Sequence, residues 1–548
     1  MINRRSARRR LPFAALALSA AAMLSLSACT GTSEPDANGG GSISWAIDVV
    51  PETLNPQING QTRARPIFRN VYETLLVQND AGEFVGALAS DYEISEDGTV
   101  YTFTIRDGVT FSNGEALDAA AVALNFEKIN DPTYDEEAAG SGPLARLVSV
   151  EAVDEQTVVL TLDRAYAPFL DYAAAVFIIA PASYDVPDVQ AGGAEVYGTG
   201  PFVIDSVIEG QEVTLVKRED YDWAPETAAH TGPAHLDEVT FHYLTESSVR
   251  LGALTSGQVD VITGVNAGDV GAIEGDDGLV YTSASNAGAP WSLYLNSTAG
   301  PGQDPRVREA FVLSADIDSI VDSVYQGKRT RAWSAISVAS GSGYNEALEG
   351  AYGPDFDRAA ELLDDAGWTG RDAEGFRVNT AGERLTFTLY RTGAFTADDR
   401  DVFLQALQAQ LRQNSGIELD IQSVDGGVWY EHFLAGDAGA SDLVTGGSTG
   451  LILEYVWAPK AEGGVINLSN AEDPQLAEWI GEASGSSDLA VQDAAYRALQ
   501  AFVVLEGHYI LPLVEAQQEL AYRVGVEGLG FLPVSGDPGW AYDAWLEN

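Results

Sequence analysis

Residues 88–122, reading LASDYEISEDGTVYTFTIRDGVTFSNGEALDAAAV, constrain the fold more tightly than any other part of this 548-residue chain. Between Tyr92 and Ile94, and again between Tyr101 and Ile105, large apolar residues alternate with polar ones, the period of a strand with one buried face. Asp97-Gly98 lies between the two runs and favours a tight turn of positive φ, so the runs predict an antiparallel hairpin. Asp107-Gly108 and Asn113-Gly114 bracket a third short strand around Phe111. Asp118 then offers an N-cap carboxylate to a helix whose buried stripe is Val122, Phe126 and Ile129.

The chain exceeds one ordinary core, and length alone gives a prior of about two to four domains. Arg4, Arg5, Arg8, Arg9 and Arg10 precede an apolar run over 11–26, the layout of an export signal; the run is interrupted by Pro12 and is short for a bilayer span. It ends in Leu26-Ser27-Ala28-Cys29, which resembles the lipobox of bacterial lipoproteins, so residues 1–28 are read as a signal peptide and Cys29 as a lipidation site. Cys29 is the single cysteine, which leaves no internal disulfide. Residues 29–44, with Gly39-Gly40-Gly41, read as a flexible tether. Without the five signal arginines, 25 basic residues face 81 acidic ones, a formal charge of −56. Such a surface repels nucleic acid. The cations are mostly arginines, with four lysines in all, so an arginine in a concave site is informative.

The 88–122 segment closely resembles a signature of the family 5 extracellular solute-binding proteins, the peptide and nickel receptors of ABC importers. Further blocks resemble that family in the same order: PETLNP at 51–56, VYETLL at 71–76, GTGPF at 198–202, ALTSGQVD at 253–260, LYLN at 293–296, DPRVR at 304–308 and AAELLDDAGW at 359–368. The resemblance implies an α/β fold of the type II periplasmic-binding-protein kind, two-lobed with an extra inserted domain, three domains around a hinged ligand cleft. It places domain I in 45–78, 199–286 and 508–548, domain II in 79–198 and domain III in 287–507. It further implies a lipid-anchored monomer on the outer face of the membrane or in the periplasm that hands a small solute, by family default a peptide or peptide-like compound, to ABC permease subunits. No cofactor, metal or catalytic residue is implied.

The residues themselves offer no enzyme. No Gly-x-Ser-x-Gly elbow or Walker loop occurs, and carboxylates are too abundant for any pair to signal glycosidase chemistry. His230, His235 and His242 fit no zinc-finger or zinc-helix spacing. A secreted hydrolase on the same scaffold, or a receptor for a metal chelate or glycan, remains the alternative function. By resemblance, ligand contacts fall at Asn55, Trp291, Asn296, Trp333, Tyr390, Arg391, Trp429, Ser448 and Thr449. Arg391 ends an alternating strand, where a guanidinium could pair with a ligand carboxylate through two parallel hydrogen bonds. Peptide receptors of this family hold the ligand's amino group with an aspartate in the stretch corresponding to 446–456, GGSTGLILEYV; here Glu454 is its single carboxylate.

Later segments predict a hairpin turned at Glu209-Gly210, a helix closed by Gly257, one helix from Asp304-Pro305 to Gly327, a helix over 356–366, and a strand, helix and strand over 385–421.

Overall fold

The computed structural model describes residues 40–134, 142–341, 343–392, 399–459 and 466–547. The signal peptide, Cys29 and the tether up to Gly39 lie outside the described residues.

The largest sheet has seven strands in the spatial order Leu279–Ser285, Gln517–Arg523, Val261–Thr263, Ser42–Ile47, Glu238–Tyr243, Glu212–Lys217 and Phe202–Ile208. Ser42–Ile47, where the sequence predicts the first strand over 42–45 although the tether is drawn to 44, is a central strand paired in parallel with both neighbours. Its side chains divide between faces: Ile43, Trp45 and Ile47 enter one core, while Ala46 packs with Ile262 and Ala521 in another. Ser42 and Ser44 alternate with Ile43 and Trp45, and the small Ala46 continues the chain where the opposite face is also covered. The helix Ser247–Ser256 stops at Gly257, whose φ of 74° gives the left-handed cap that its position predicts.

The signature segment supplies two strands of a four-stranded antiparallel sheet ordered Ala89–Ile94, Val100–Ile105, Thr157–Leu162 and Leu147–Ala152. Asp118 caps the following helix, Ala119–Ile129, by accepting from Ala121 N at 2.8 Å. Val122 and Phe126 are fully buried under it, each contributing about 1.5–3 kcal/mol of apolar transfer. The expected strand around Phe111 is absent. Phe111 N instead donates to Glu115 O across a turn, and Thr110 makes one isolated bridge to Ala116, too few pairings for a ladder.

The third sheet runs Glu418–Ser423, Thr386–Arg391, Ala440–Gly446, Gly288–Leu295 and Ile510–Val514. Helices Pro305–Leu313 and Ile317–Tyr325 cover it in place of the single helix expected there. The break has a local cause: Ser314 Oγ bonds back to Ala310 O, and Asp316 recaps the chain by accepting from Ser319 N at 3.1 Å.

One hydrophobic core joins the seven- and four-stranded sheets, and two further cores belong to the five-stranded one, so the chain forms two lobes. It crosses between them at Asn286-Ala287 and at Glu515-Ala516, and these crossings are bonded to each other through Asn286 N and Ala516 O at 3.0 Å. Ile510–Val514 is thus an edge strand of the second lobe, and the return to the first lobe begins at 515, after the expected 508.

A cleft between two lobes

A cavity of about 1010 Å³ separates the lobes. The first lobe contributes Arg65, Phe68 and Arg69 from the helix Arg65–Val71, with Glu73, Phe84, Asp171, Tyr172 and Phe177. From the second come Gly446, Gly447, Ser448, Leu451, Glu454 and Tyr455, where the strand Ala440–Gly446 passes into the helix Thr449–Trp457. The C-terminal segment adds Phe531, Asp537 and Trp540. A mainly apolar and aromatic wall with a few polar groups is the usual make-up of a small-molecule site, and the volume is at the upper end of the roughly 300–1,000 Å³ typical of one.

The lobes touch at one side of this cleft. Arg146 of the first lobe pairs with Glu454 of the second at 2.7 Å, with side chains 11% and 6% exposed. The Arg146 guanidinium also lies over the Tyr166 ring at 4.4 Å. Ala167 N donates to Ser484 O at 2.7 Å across the same seam. Gly450 makes the approach possible: a Cβ there would stand 2.6 Å from the Tyr496 hydroxyl and 2.8 Å from the Pro168 ring.

Four carboxylates lining the cleft have distinct fates. Burial pushes Glu73 up to about 7 although Tyr221 Oη and Trp223 Nε1 hydrogen-bond its charged form, donating at 2.8 and 2.9 Å. Burial raises Asp171 to about 6. Asp537, despite burial, is held below the usual carboxylate range by Arg65 and Arg69. Asp543 accepts from Ala229 N and Trp540 Nε1 at 3.0 Å each.

Of the sequence-derived site residues, Ser448 and Glu454 line the cleft, and Thr449 opens the helix beside them, its methyl facing Gly343. The others lie outside its lining. Asn55 is buried and donates to Tyr134 Oη and Val189 O at 2.8 Å. Trp291 sits in the second lobe's core, bonded to Asp442 at 2.9 Å. Asn296 braces a turn by accepting from Thr298 N and Ala299 N. Trp333 packs between Arg331 and Tyr352, Trp429 stacks on Phe433, and Tyr390 stacks on His432 at 3.6 Å. Arg391 is 5% exposed and ion-paired with Asp401 and Asp442, so its strand end delivers it to an internal charge cluster. The sequence reading missed Arg65, Arg69, Arg146, Asp171 and Asp537. The spacing of Arg65 and Arg69, four apart on one helical face in a chain poor in cations, was the available signal.

His230 stacks on Tyr542 and lies against His235, and among the described residues no group of three His, Cys, Asp or Glu is placed to hold a metal ion. Nor is any helix among them long and apolar enough to cross a membrane.

The raised carboxyl of Glu73 makes a prediction about pH. Between about pH 4.5 and 7 the folded chain holds the Glu73 proton and the unfolded chain does not, so this group stabilises the fold on the acid side and loses that contribution as pH rises through 7. His508, held below its ordinary value by burial, acts in the opposite sense. The isolating experiment compares wild type with Glu73→Gln in urea unfolding at pH 5.5 and 8. Wild type is expected to gain about 1–2 kcal/mol more than the variant on acidification.

Two lobes joined by paired crossings around a solute-sized cleft define a receptor that closes on its ligand. The family model for bacterial extracellular solute-binding proteins, family 5, matches residues 83–463, and the chain belongs to this family. It is 26% identical over 496 residues to the nickel-binding periplasmic protein of Escherichia coli (strain K12), covering 87% of this chain and 90% of that one. It is 24% identical over 501 residues to the glutathione-binding protein GsiB of Shigella dysenteriae serotype 1, covering 88% and 91%. Its fold matches the periplasmic binding protein DppA of Helicobacter pylori in complex with the peptide STSA, with a TM-score of 0.78 at 24% identity over 93% of this chain and 99% of that one.

Proposed function

We propose that this chain is the lipid-anchored receptor of an ABC importer, which captures a peptide or peptide-like solute outside the membrane and presents it to permease subunits. The observation that carries the reading is the cleft between the lobes, about 1010 Å³ and lined by both aromatic and charged side chains. A short peptide has both kinds of surface: an apolar body for Phe68, Phe177, Tyr455 and Trp540, and charged termini for the cleft's ionised groups. The relatives named for nickel and glutathione show that the family spans different small solutes, and glutathione is itself peptide-like. Closure couples binding to recognition because only a ligand that favours the closed state shifts the lobes towards it.

Titration calorimetry of the purified protein with pools of di- to pentapeptides is expected to give saturable 1:1 binding, and chromatography of the mixture to return the peptides intact. Product formation would replace the receptor by a hydrolase. The anchor is tested separately: Cys29→Ala is expected to move the protein from the membrane fraction into the soluble exported fraction with unchanged thermal stability, because the sequence around Cys29, rich in Gly, Ser and Thr, is too polar to build a core. Full membrane retention of that variant would remove the lipid anchor from the account.

A further inference from the structure

The cleft has a positive end with more cation than counter-ion. Arg65 and Arg69 are the two basic residues among the described residues that line it. Both direct a guanidinium Nη at the same oxygen, Oδ2 of Asp537, at 3.2 and 2.9 Å. Asp537 is 4% exposed on its side chain, while Arg65 and Arg69 keep 36% and 23% of theirs accessible. Arg69 Nε is buried without a hydrogen-bond partner among the described residues. The cluster therefore carries one uncompensated positive charge and at least one unsatisfied donor. The lining also holds the carboxylates Glu73, Asp80, Asp171, Glu226, Glu454 and Asp543, yet among the described residues the ion pairs of Arg65 and Arg69 are with Asp537, and Glu454 is committed to Arg146. Excess buried charge is costly unless paired, and guanidinium groups pair best with planar oxyanions.

We propose that Arg65 and Arg69 form the subsite for a carboxylate of the solute, with Asp537 holding the two guanidinium groups side by side. This rests on the receptor reading and narrows its substrate class to solutes with a free carboxylate at one end. Arg65, the more exposed of the two at 36% of its side chain, can be changed with little effect on packing. Arg69 is the deeper, braced by Asp537 inside the helix face that turns towards the cleft.

The test compares a tripeptide pool bearing free C-terminal carboxylates with the same pool C-terminally amidated, by calorimetry on wild type, Arg65→Gln and Arg69→Lys. Wild type is expected to bind the free-acid pool at least tenfold more tightly. Arg65→Gln is expected to cut that preference to below threefold, with a circular dichroism spectrum and melting temperature like those of wild type showing that the variant is folded. Arg69→Lys, which keeps the charge and loses the fork, is expected to fall between. Binding of both pools by wild type with equal affinity would overturn the subsite and leave the receptor standing. Binding of neither pool would overturn both.

Discussion

Arg146→Ala is expected to loosen the closed arrangement of the two lobes by about 3–5 kcal/mol, the scale of breaking one partner of a buried ion pair. The magnitude rests on exposure: with 11% and 6% of the two side chains accessible, removing Arg146 leaves the Glu454 carboxylate buried without its cation. Glu454→Gln strands the Arg146 guanidinium instead, but an amide oxygen at 454 can still accept from it and the Tyr166 ring still lies under it, so this variant should lose less. The pair spans the lobes, so the loss falls on closure and not on the stability of either lobe. Small-angle scattering of unliganded protein should give a larger radius of gyration for Arg146→Ala than for wild type, and solute affinity should drop as the competent population shrinks. The charge-swapped double variant Arg146→Glu with Glu454→Arg should recover most of both. An unchanged radius and unchanged affinity in Arg146→Ala would make the pair an ornament of the seam.

Gly198→Ala is expected to cost more than about 4 kcal/mol and to reduce soluble yield sharply. A Cβ at Gly198 would stand 2.0 Å from Val71 O and 2.6 Å from the Tyr72 ring, and one at Gly200 would stand 2.6 Å from Val71 C. The segment 198–200 lies backbone against backbone on the end of the helix Arg65–Val71, with Gly200 N donating to Val71 O at 2.9 Å and Ser112 N donating to Gly198 O at 2.8 Å. Thr199 O accepts from Trp223 Nε1, the same group that holds Glu73. A methyl group at 198 would thus push apart three segments that converge on one wall of the cleft. Gly210 is the control: it has a φ of 68° and nothing within 4 Å of an added Cβ. Gly210→Asn, a residue that tolerates that conformation, should cost about 1 kcal/mol or less. Equal melting temperatures for Gly198→Ala and wild type would refute the close packing.

Local patterns carried much of the fold. Asp97-Gly98 placed the hairpin, Asp118 and Gly257 placed a helix start and a helix stop, and each is a property of a few adjacent residues with a direct backbone consequence. The helix around Ser314 was misread because its apolar stripe continues through the break, while the recapping by Asp316 is a hydrogen bond that periodicity does not register. The cleft was harder to see. Asp537 lies 472 residues from Arg65 and Arg146 lies 308 from Glu454, so neither pairing leaves a spacing to recognise. Trp291, Tyr390 and Arg391 are named by resemblance, Arg391 also for its place at a strand end, and the fold directs them to Asp442, His432 and Asp401. Ser448 and Glu454 line the cleft because the strand Ala440–Gly446 ends there, and the resemblance had located that stretch.

The central claim, that a solute is held in the cleft between the lobes, is tested most directly by native mass spectrometry of wild type and Leu451→Trp after incubation with a mixed peptide pool. Leu451 is a half-buried residue of the cleft wall, and an indole there would protrude into the space a peptide must occupy. Wild type is predicted to carry one peptide mass per chain, and the variant, with a circular dichroism spectrum like that of wild type, to carry none. Adducts of equal abundance on both proteins would place the solute elsewhere and contradict the account.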